Sequence, residues 1–415
     1  MDFDDTPEDA RFRAEARAWL VSHAPAQFRD TLERATFGYT EIPGHDPVLL
    51  QQGWQKTKFD AGWACVNWPR AYGGRDATPI QRAIWQQEEG VYARLSQMFL
   101  VGHGMCGPTL MAYATEEQKR ARLPPLASGE EIWCQLFSEP AAGSDLAGLR
   151  TRAEKHGAEW VVNGQKIWTS EAQHARWGLL LARSDPDALK HKGLTMFFVR
   201  MDSPGIEVRP IRQMNEQSVF NEVYFSDVRI PDAQRLGGVG EGWRVALTTL
   251  MNERLSVGAS MQTGFEELFA YCCELPTASG VAADERHVQS RLAQFAVRAS
   301  GLRYTALRGI SQLSKGEEPG PESSIGKLVA GTTMQEIAKF ALDLQGECGL
   351  LCDPAQAPAM GRFQAMLMRA PATRIEGGSD EILRNIIAER VLGLPPDIRA
   401  DKDVPFSKIA ASART

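Results

Sequence analysis

The sequence lacks any apolar run near the eighteen residues that a membrane helix needs, and its opening, Met1-Asp2-Phe3-Asp4-Asp5, shows no basic-then-apolar pattern. No membrane span is expected, and the cytoplasm is the expected compartment. An excess of positive charge is also missing: the formal net charge is -6, which gives no electrostatic basis for holding nucleic acid. Paired cysteine spacing is absent, because Cys65, Cys106, Cys134, Cys272, Cys273, Cys348 and Cys352 form no CxxC pattern. Free thiols in a reducing compartment are expected. The seven histidines form no HxH or HExxH spacing, so no metal site is expected.

What is present is an ordinary globular balance, with 43% hydrophobic and 24% charged residues. A chain of 415 residues exceeds one compact core and predicts two or three domains.

Hydrophobic periodicity changes twice along the chain. Through about residue 130 it is helical, over Pro7–Leu20, Pro47–Ala61, Pro79–Tyr92 and a run from Ser96. Thr115-Glu-Glu-Gln118 has capping-box spacing and predicts a short helix ending before Pro124. From Ile132 to about Ile230 the runs are short and β-like: 132–137, 160–162, 166–169, 178–182, 194–199, 206–210 and 222–225. Asn163-Gly164 lies between two of them and predicts a tight hairpin turn. After the glycine-rich joint Gly237–Gly242, helices are expected over 241–272, 284–314, 321–346 and 379–392, a pattern that suggests a bundle. The domain expectation is therefore 1–131 helical, 132–240 β, 241–394 helical bundle and 395–415 a polar tail.

Several motifs allow chemistry, each with a plainer reading beside it. Gly102-His-Gly-Met-Cys-Gly107 fits the GxGxxG turn that approaches a pyrophosphate, or else is a glycine-rich helix joint. Ser138-Glu-Pro-Ala-Ala-Gly-Ser144-Asp145 follows a strand, where backbone amides and hydroxyls could face phosphate or a flavin edge, or form a simple turn. Gln165-Lys-Ile-Trp168-Thr169-Ser170 joins an aromatic ring to two hydroxyls, suited to a planar heterocycle; the plainer alternative is a core tryptophan. Glu253 falls in line with Ala246, Leu250 and Val257 on an apolar helical stripe. A carboxylate there suits a general base with a raised pKa, or a structural ion pair with Arg254. Glu376, in Arg374-Ile-Glu-Gly-Gly-Ser-Asp-Glu381, is a second candidate base, or a loop residue before a helix capped by Ser379.

Leu136-Phe-Ser-Glu-Pro-Ala-Ala-Gly-Ser-Asp145, Gly164-Gln-Lys-Ile-Trp-Thr-Ser170 and Glu376-Gly-Gly-Ser-Asp-Glu-Ile-Leu-Arg384 resemble, in order and spacing, three signature stretches of acyl-CoA dehydrogenases. Trp68–Gly74 and Asn221–Pro231 resemble further family segments, so the resemblance runs from about residue 5 to 394. It implies an α+β multidomain fold: an N-terminal helical domain, a β-barrel-like middle domain and a C-terminal four-helix bundle, with FAD between the last two. The family uses no Rossmann fingerprint, which counts against the 102–107 glycines as a nucleotide site.

Carried over by position, the resemblance implies flavin contacts from Gln135, Phe137, Ser138, Ser144, Trp168, Thr169 and Ser170; Gln345 and Gly349 match a QxxxG element that in the family meets a neighbouring subunit's FAD, and Ser379 and Glu381 match positions near the flavin. Ser144, Arg254 and Gly378 match positions near acyl-CoA. The implied reaction removes the α-proton of an acyl-CoA thioester while hydride leaves the β-carbon for the flavin, giving a trans-2-enoyl-CoA. The resemblance also implies that the Gly377 amide hydrogen-bonds the thioester oxygen.

Family members carry the base either in the last signature or in the helix opening the bundle. Counting back seven from Arg384 gives Gly377, so Glu376 is one residue out of register. Glu253, in Met251-Asn-Glu-Arg-Leu255, matches the other location and is the preferred base.

One departure concerns assembly. Many members carry Arg-x-x-Phe-Gly between the first two bundle helices, with the arginine reaching a partner's FAD; here Glu274–Gly280 stands there. The resemblance implies a homo-oligomer, dimer or tetramer, and an electron-transfer flavoprotein as acceptor. The departure opens a hetero-oligomer with a related subunit. Rival readings are an oxygen-using acyl-CoA oxidase-like enzyme and a catalytically silent accessory subunit.

Overall fold

The computed structural model describes residues 5–34, 40–260, 263–278, 280–317, 320–398, 401 and 403–409, and for 254–260 the backbone alone. The chain folds as two compact units, each assembled from separate stretches of sequence. One comprises Met1–Ile42, Thr78–Arg94 and Arg254–Pro396, and the other Pro43–Ala77, Leu95–Glu253 and Asp397–Thr415.

The second unit is built on an eight-stranded sheet: β1 (Trp133–Leu136), β2 (Arg152–His156), β3 (Glu159–Ser170), β4 (Trp177–Arg183), β5 (Leu194–Arg200), β6 (Ile206–Ile211), β7 (Phe220–Pro231) and β8 (Arg235–Leu236). The order is β6-β7-β3-β2-β4-β5-β8, with β1 parallel to β4. Every residue of β4 is buried, in keeping with its apolar run before Arg183, whereas β6, at the sheet edge, has only half-buried and exposed positions.

The Asn163-Gly164 hairpin expectation is overturned. β3 runs continuously through both residues, and the register shift between Val162 and Gly164 marks a bulge against β7. A Cβ on Gly164 would lie 2.4 Å from Thr151 Oγ1, so the glycine serves close approach rather than a turn. The Asn163 side chain exchanges hydrogen bonds with Asp227 on β7. The tight turn lies one step earlier, at Gly157-Ala158 between paired His156 and Glu159.

Helices α3 (Pro47–Asp60), α5 (Gly107–Tyr113) and α6 (Glu116–Ser128) belong to this unit. The predicted capping box at Thr115 and Gln118 is present. The helix does not stop before Pro124. It continues through both prolines because Leu123, Leu126 and Ala127 are fully buried and its last carbonyls find other donors: Gln55 on Ala127 O and His103 on Leu126 O. The 102–107 glycines form a single π-helical turn into α5, and a Cβ on Gly107 would meet Trp68 at 2.2 Å. Close packing accounts for that spacing.

The first half of α7 (Gly242–Ser260) packs in the same unit, with Val245 and Ala246 in its core and Thr249 Oγ1 2.9 Å from Thr109 Oγ1.

The first unit pairs α1 (Pro7–His23) with α4 (Pro79–Glu89) through Arg13 and Arg17 on Glu88. It also contains the short α2 (Arg29–Arg34), then α8 (Phe265–Glu274), α9 (Arg286–Ser314), α10 (Ser323–Gln345), α11 (Arg362–Thr373) and α12 (Asp380–Ile386). A core within this unit includes Leu268, Phe295, Ile337, Ala341, Phe363 and Met366. The expected 241–272 helix is two helices, since Gly264 adopts a left-handed φ of 79° at the start of α8. α11 was not expected, because Pro371 reads as a helix breaker yet lies within its last turn. Among the described residues no helix is long and apolar enough to cross a membrane.

Candidate active site

In the sheet-bearing unit the first signature follows β1 and is fastened to β3 by a buried ion pair. Lys166 Nζ donates to Glu139 Oε1 and to Phe137 O, both at 2.9 Å. Glu139 also accepts the amides of Arg150 and Thr151, at 2.6 and 2.8 Å. Burial pushes the Glu139 carboxyl up, but Lys166 and the two amides outweigh it and hold it below the usual range. The carboxylate therefore draws both ends of the 138–151 loop together, and Ile167 N donates to Ser138 O to complete the joint. Phe137 is buried, Ser138 half-buried and Ser144 exposed.

The second signature ends β3 in an irregular stretch. The register shifts between Lys166 and Thr169, and Trp168 adopts a left-handed φ of 60°. That conformation is costly for a bulky residue. The residue is 56% exposed, and its ring meets Phe220 edge-on. Thr169 Oγ1 beside it is buried and makes no hydrogen bond among the described residues, while its carbonyl is held by Asn221 Nδ2. Ser170 is half-buried. An exposed aromatic face next to a buried, unsatisfied hydroxyl suits a planar heterocycle with polar edges, so these residues fit the isoalloxazine of FAD.

Glu253 stands on α7, half-buried, one helical turn beyond the buried Thr249. Gln135 Nε2, on β1, donates to Glu253 Oε2 at 3.5 Å. A residue expected at the flavin and the preferred base are thus neighbours. Arg254 follows on the helix; its side chain lies outside the described residues, as does that of Val257.

In the other unit, Gln345 closes α10 and its Oε1 accepts from Gln364 Nε2, which also reaches Gly349 O. The QxxxG element is therefore one hydrogen-bonded corner. The last signature is held at both sides: Lys327 Nζ donates to Gly378 O, and Arg374 bridges Asp380 and Gln335. Between these fixings Gly377 and Gly378 take φ of 63° and 98°, open to glycine. Ser379 caps α12 by accepting from Ile382 N, and the Glu381 carboxyl is held low by its own backbone amide and the Ser379 hydroxyl. Glu376 is paired with Arg369 at 2.6 Å.

Sequence reasoning missed Lys166, Glu139 and Asn221 as supports of the flavin-facing segments. A lysine on a strand between alternating buried residues was the available signal for Lys166.

Comparison with known proteins agrees along the chain. Three family models match: "Acyl-CoA dehydrogenase, N-terminal domain" over residues 6–130, "middle domain" over 134–228 and "C-terminal domain" over 240–392. The acyl-CoA dehydrogenase IpdE1 of Mycolicibacterium smegmatis is 36% identical over 407 residues, covering 94% of this chain and 99% of that one. Among solved structures, the ChsE4-ChsE5 complex from Mycobacterium tuberculosis aligns with a TM-score of 0.79 and 28% identity, over 96% of this chain and 100% of the other. The steroid ACAD Tcur3481-Tcur3483 aligns with a TM-score of 0.79 and 27% identity, over the same shares. With three signature segments in place, residues that fit a flavin and relatives matched end to end, the chain belongs to the acyl-CoA dehydrogenase family of FAD-dependent oxidoreductases.

Proposed function

We propose that this enzyme dehydrogenates an acyl-CoA thioester to the trans-2-enoyl-CoA with Glu253 as base, and the observation that carries the assignment is the Gln135–Glu253 contact. FAD, once bound, supplies the two-electron acceptor for the hydride that leaves the β-carbon. The Glu253 carboxylate takes the α-proton, and Gln135 orients that carboxylate beside the flavin-facing strand. The Gly377 amide donates to the thioester oxygen as enolate-like charge develops there, with Gly378 alongside the substrate. Ser144 and Arg254 serve acyl-CoA. Trp168 offers its ring face and Thr169 its unsatisfied hydroxyl to the flavin, with Gln135, Phe137, Ser138, Ser144 and Ser170 completing that side. Gln345 and Gly349 match the element that in the family meets a neighbouring subunit's FAD, and Ser379 and Glu381 match family positions near the flavin. Glu376 is engaged by Arg369, which supports its exclusion as the base. Replacing Glu253 by Gln tests the assignment; near-normal turnover with FAD bound removes it.

We assign electron-transfer flavoprotein as acceptor on the strength of the family. Hydrogen peroxide formed without any dye acceptor overturns this in favour of an oxidase. Seven free cysteines fit a reducing cytoplasm. The domain reading is 1–131, 132–240 and 241–394, followed by a tail.

A small β-ribbon supports a second reading, of assembly. Where the family's arginine motif stands, Pro276–Thr277 pairs with Gly280–Val281. The solved ChsE4-ChsE5 complex is a two-protein relative. These favour a mixed oligomer in which a related subunit completes a flavin site, and the steroid ACAD relative favours a ring-bearing acyl-CoA. Native mass with FAD content tests the first point: a homo-oligomer with one FAD per chain removes the need for a partner subunit. A panel of straight, branched and ring-bearing thioesters tests the second.

A further inference from the structure

Beyond the matched family region, the described residues Asp401 and 405–407 make specific contacts with the sheet-bearing unit. The family match ends at residue 392, yet the segment from Asp397 belongs to the sheet-bearing unit. Pro405 bridges Leu189, Phe406 N donates to Ala188 O at 2.9 Å, and Ser407 N donates to Pro186 O at 2.7 Å. Ser407 Oγ adds a bond to Asp187 Oδ1. The tail thus lies along the turn between β4 and β5.

Two tail side chains reach further. The Phe406 ring lies 3.6 Å from the guanidinium carbon of Arg183. Arg183 is buried and donates to three carbonyls: Ala147 at 2.6 Å, Leu149 at 3.2 Å and Lys190 at 3.0 Å. Two of these belong to the loop that carries Ser144. Asp401 pairs with Lys190 at 2.5 Å, and the same ammonium pairs with Asp145 at 2.7 Å. Both tail contacts therefore end on the backbone or side chain of residues 145–149.

We propose that the C-terminal tail is a strap whose Phe406 and Asp401 are positioning residues, fixing the Ser144 loop through Arg183 and Lys190. An aromatic face over a buried guanidinium shields its hydrogen bonds from water and strengthens them. Asp401 and Asp145 share the Lys190 ammonium, so the lysine ties the tail to the loop through a carboxylate on each side. The strap preorganises the loop for cofactor and thioester, a role that rests on the assignment of Ser144 to that site.

The test compares the full chain with a chain ending at Leu394, with Phe406→Ala and Asp401→Asn, and with Phe406→Tyr as the conservative variant. Hydrogen exchange of the 144–151 amides, read by mass spectrometry, reports the loop without reference to any ligand. FAD titration reports the cofactor side. The strap predicts exchange about tenfold faster and FAD binding at least about fivefold weaker in the truncated chain and in Phe406→Ala, with Phe406→Tyr near the parent in both. Unchanged exchange overturns the strap. Faster exchange with unchanged FAD affinity also overturns it, because the tail then only stabilises. A full-length chain that takes up no FAD overturns the flavin reading, and exchange alone then decides whether the tail holds the loop.

Discussion

Gln135 on β1 and Glu253 on α7 meet at 3.5 Å, 118 residues apart in sequence. At that length the hydrogen bond is at its geometric limit, so Gln135 orients the carboxylate without gripping it tightly. Replacing Glu253 by Gln keeps the shape and removes the proton acceptor. Turnover should fall by a factor of about 100 to 10,000, the range of general-base contributions, with flavin absorbance retained. Glu376→Gln should stay within a fewfold of the parent, since it alters only the pair with Arg369. Steady-state rates of both variants, with FAD content measured alongside, distinguish the two carboxylates.

Thr169 gives a prediction with opposite signs for stability and for binding. Its buried hydroxyl makes no hydrogen bond among the described residues, so Thr169→Val should leave the flavin-free protein equally or slightly more stable. The same change should weaken FAD by about fivefold, roughly 1 kcal/mol, if the hydroxyl serves the cofactor. Thermal unfolding without FAD and a flavin titration read the two effects separately.

Lys166 and Glu139 form a buried pair, 0% and 7% exposed in their side chains. Lys166→Met leaves Glu139 charged and buried and should cost about 3–5 kcal/mol. Adding Glu139→Gln should recover part of that loss, because the uncompensated charge is gone. Urea unfolding of the parent, the single and the double variant measures the difference.

His103 sets a pH dependence. Burial lowers its pKa from 6.5 to about 4, and its Nε2 proton is donated to Leu126 O. The folded state thus binds fewer protons than the unfolded chain between those values. The stability from the neutral ring is complete above about pH 6.5 and is lost as pH falls towards 4, by up to about 3 kcal/mol. His103→Gln should flatten the fall in melting temperature over that window. An equally steep fall assigns the acid sensitivity to other groups.

The fold was legible where period and burial agreed. The switch from helical to β spacing near Ile132 located the sheet, and Thr115 with Gln118 located a helix start. Asn163-Gly164 misled because local turn propensity was overridden by continuous pairing of β3 with β7. Pro124 and Pro125 misled because side chains from Gln55 and His103 satisfy the helix end. On the site, motif and register pointed to Glu253, Trp168 and Thr169. Sequence spacing could not show that Gln135 reaches Glu253, that Arg369 occupies Glu376 or that Phe406 covers Arg183. Each of these depends on segments brought together only by the fold.

The central claim is best tested by anaerobic titration of the flavin-loaded parent and Glu253→Gln with straight, branched and ring-bearing acyl-CoAs, followed by visible absorbance. The account predicts that one thioester class bleaches the flavin band of the parent and forms enoyl-CoA, while the variant binds the same thioester without bleaching. Comparable bleaching in the variant contradicts the assignment of Glu253, and a parent that takes up FAD yet responds to none of the thioesters contradicts the proposed reaction.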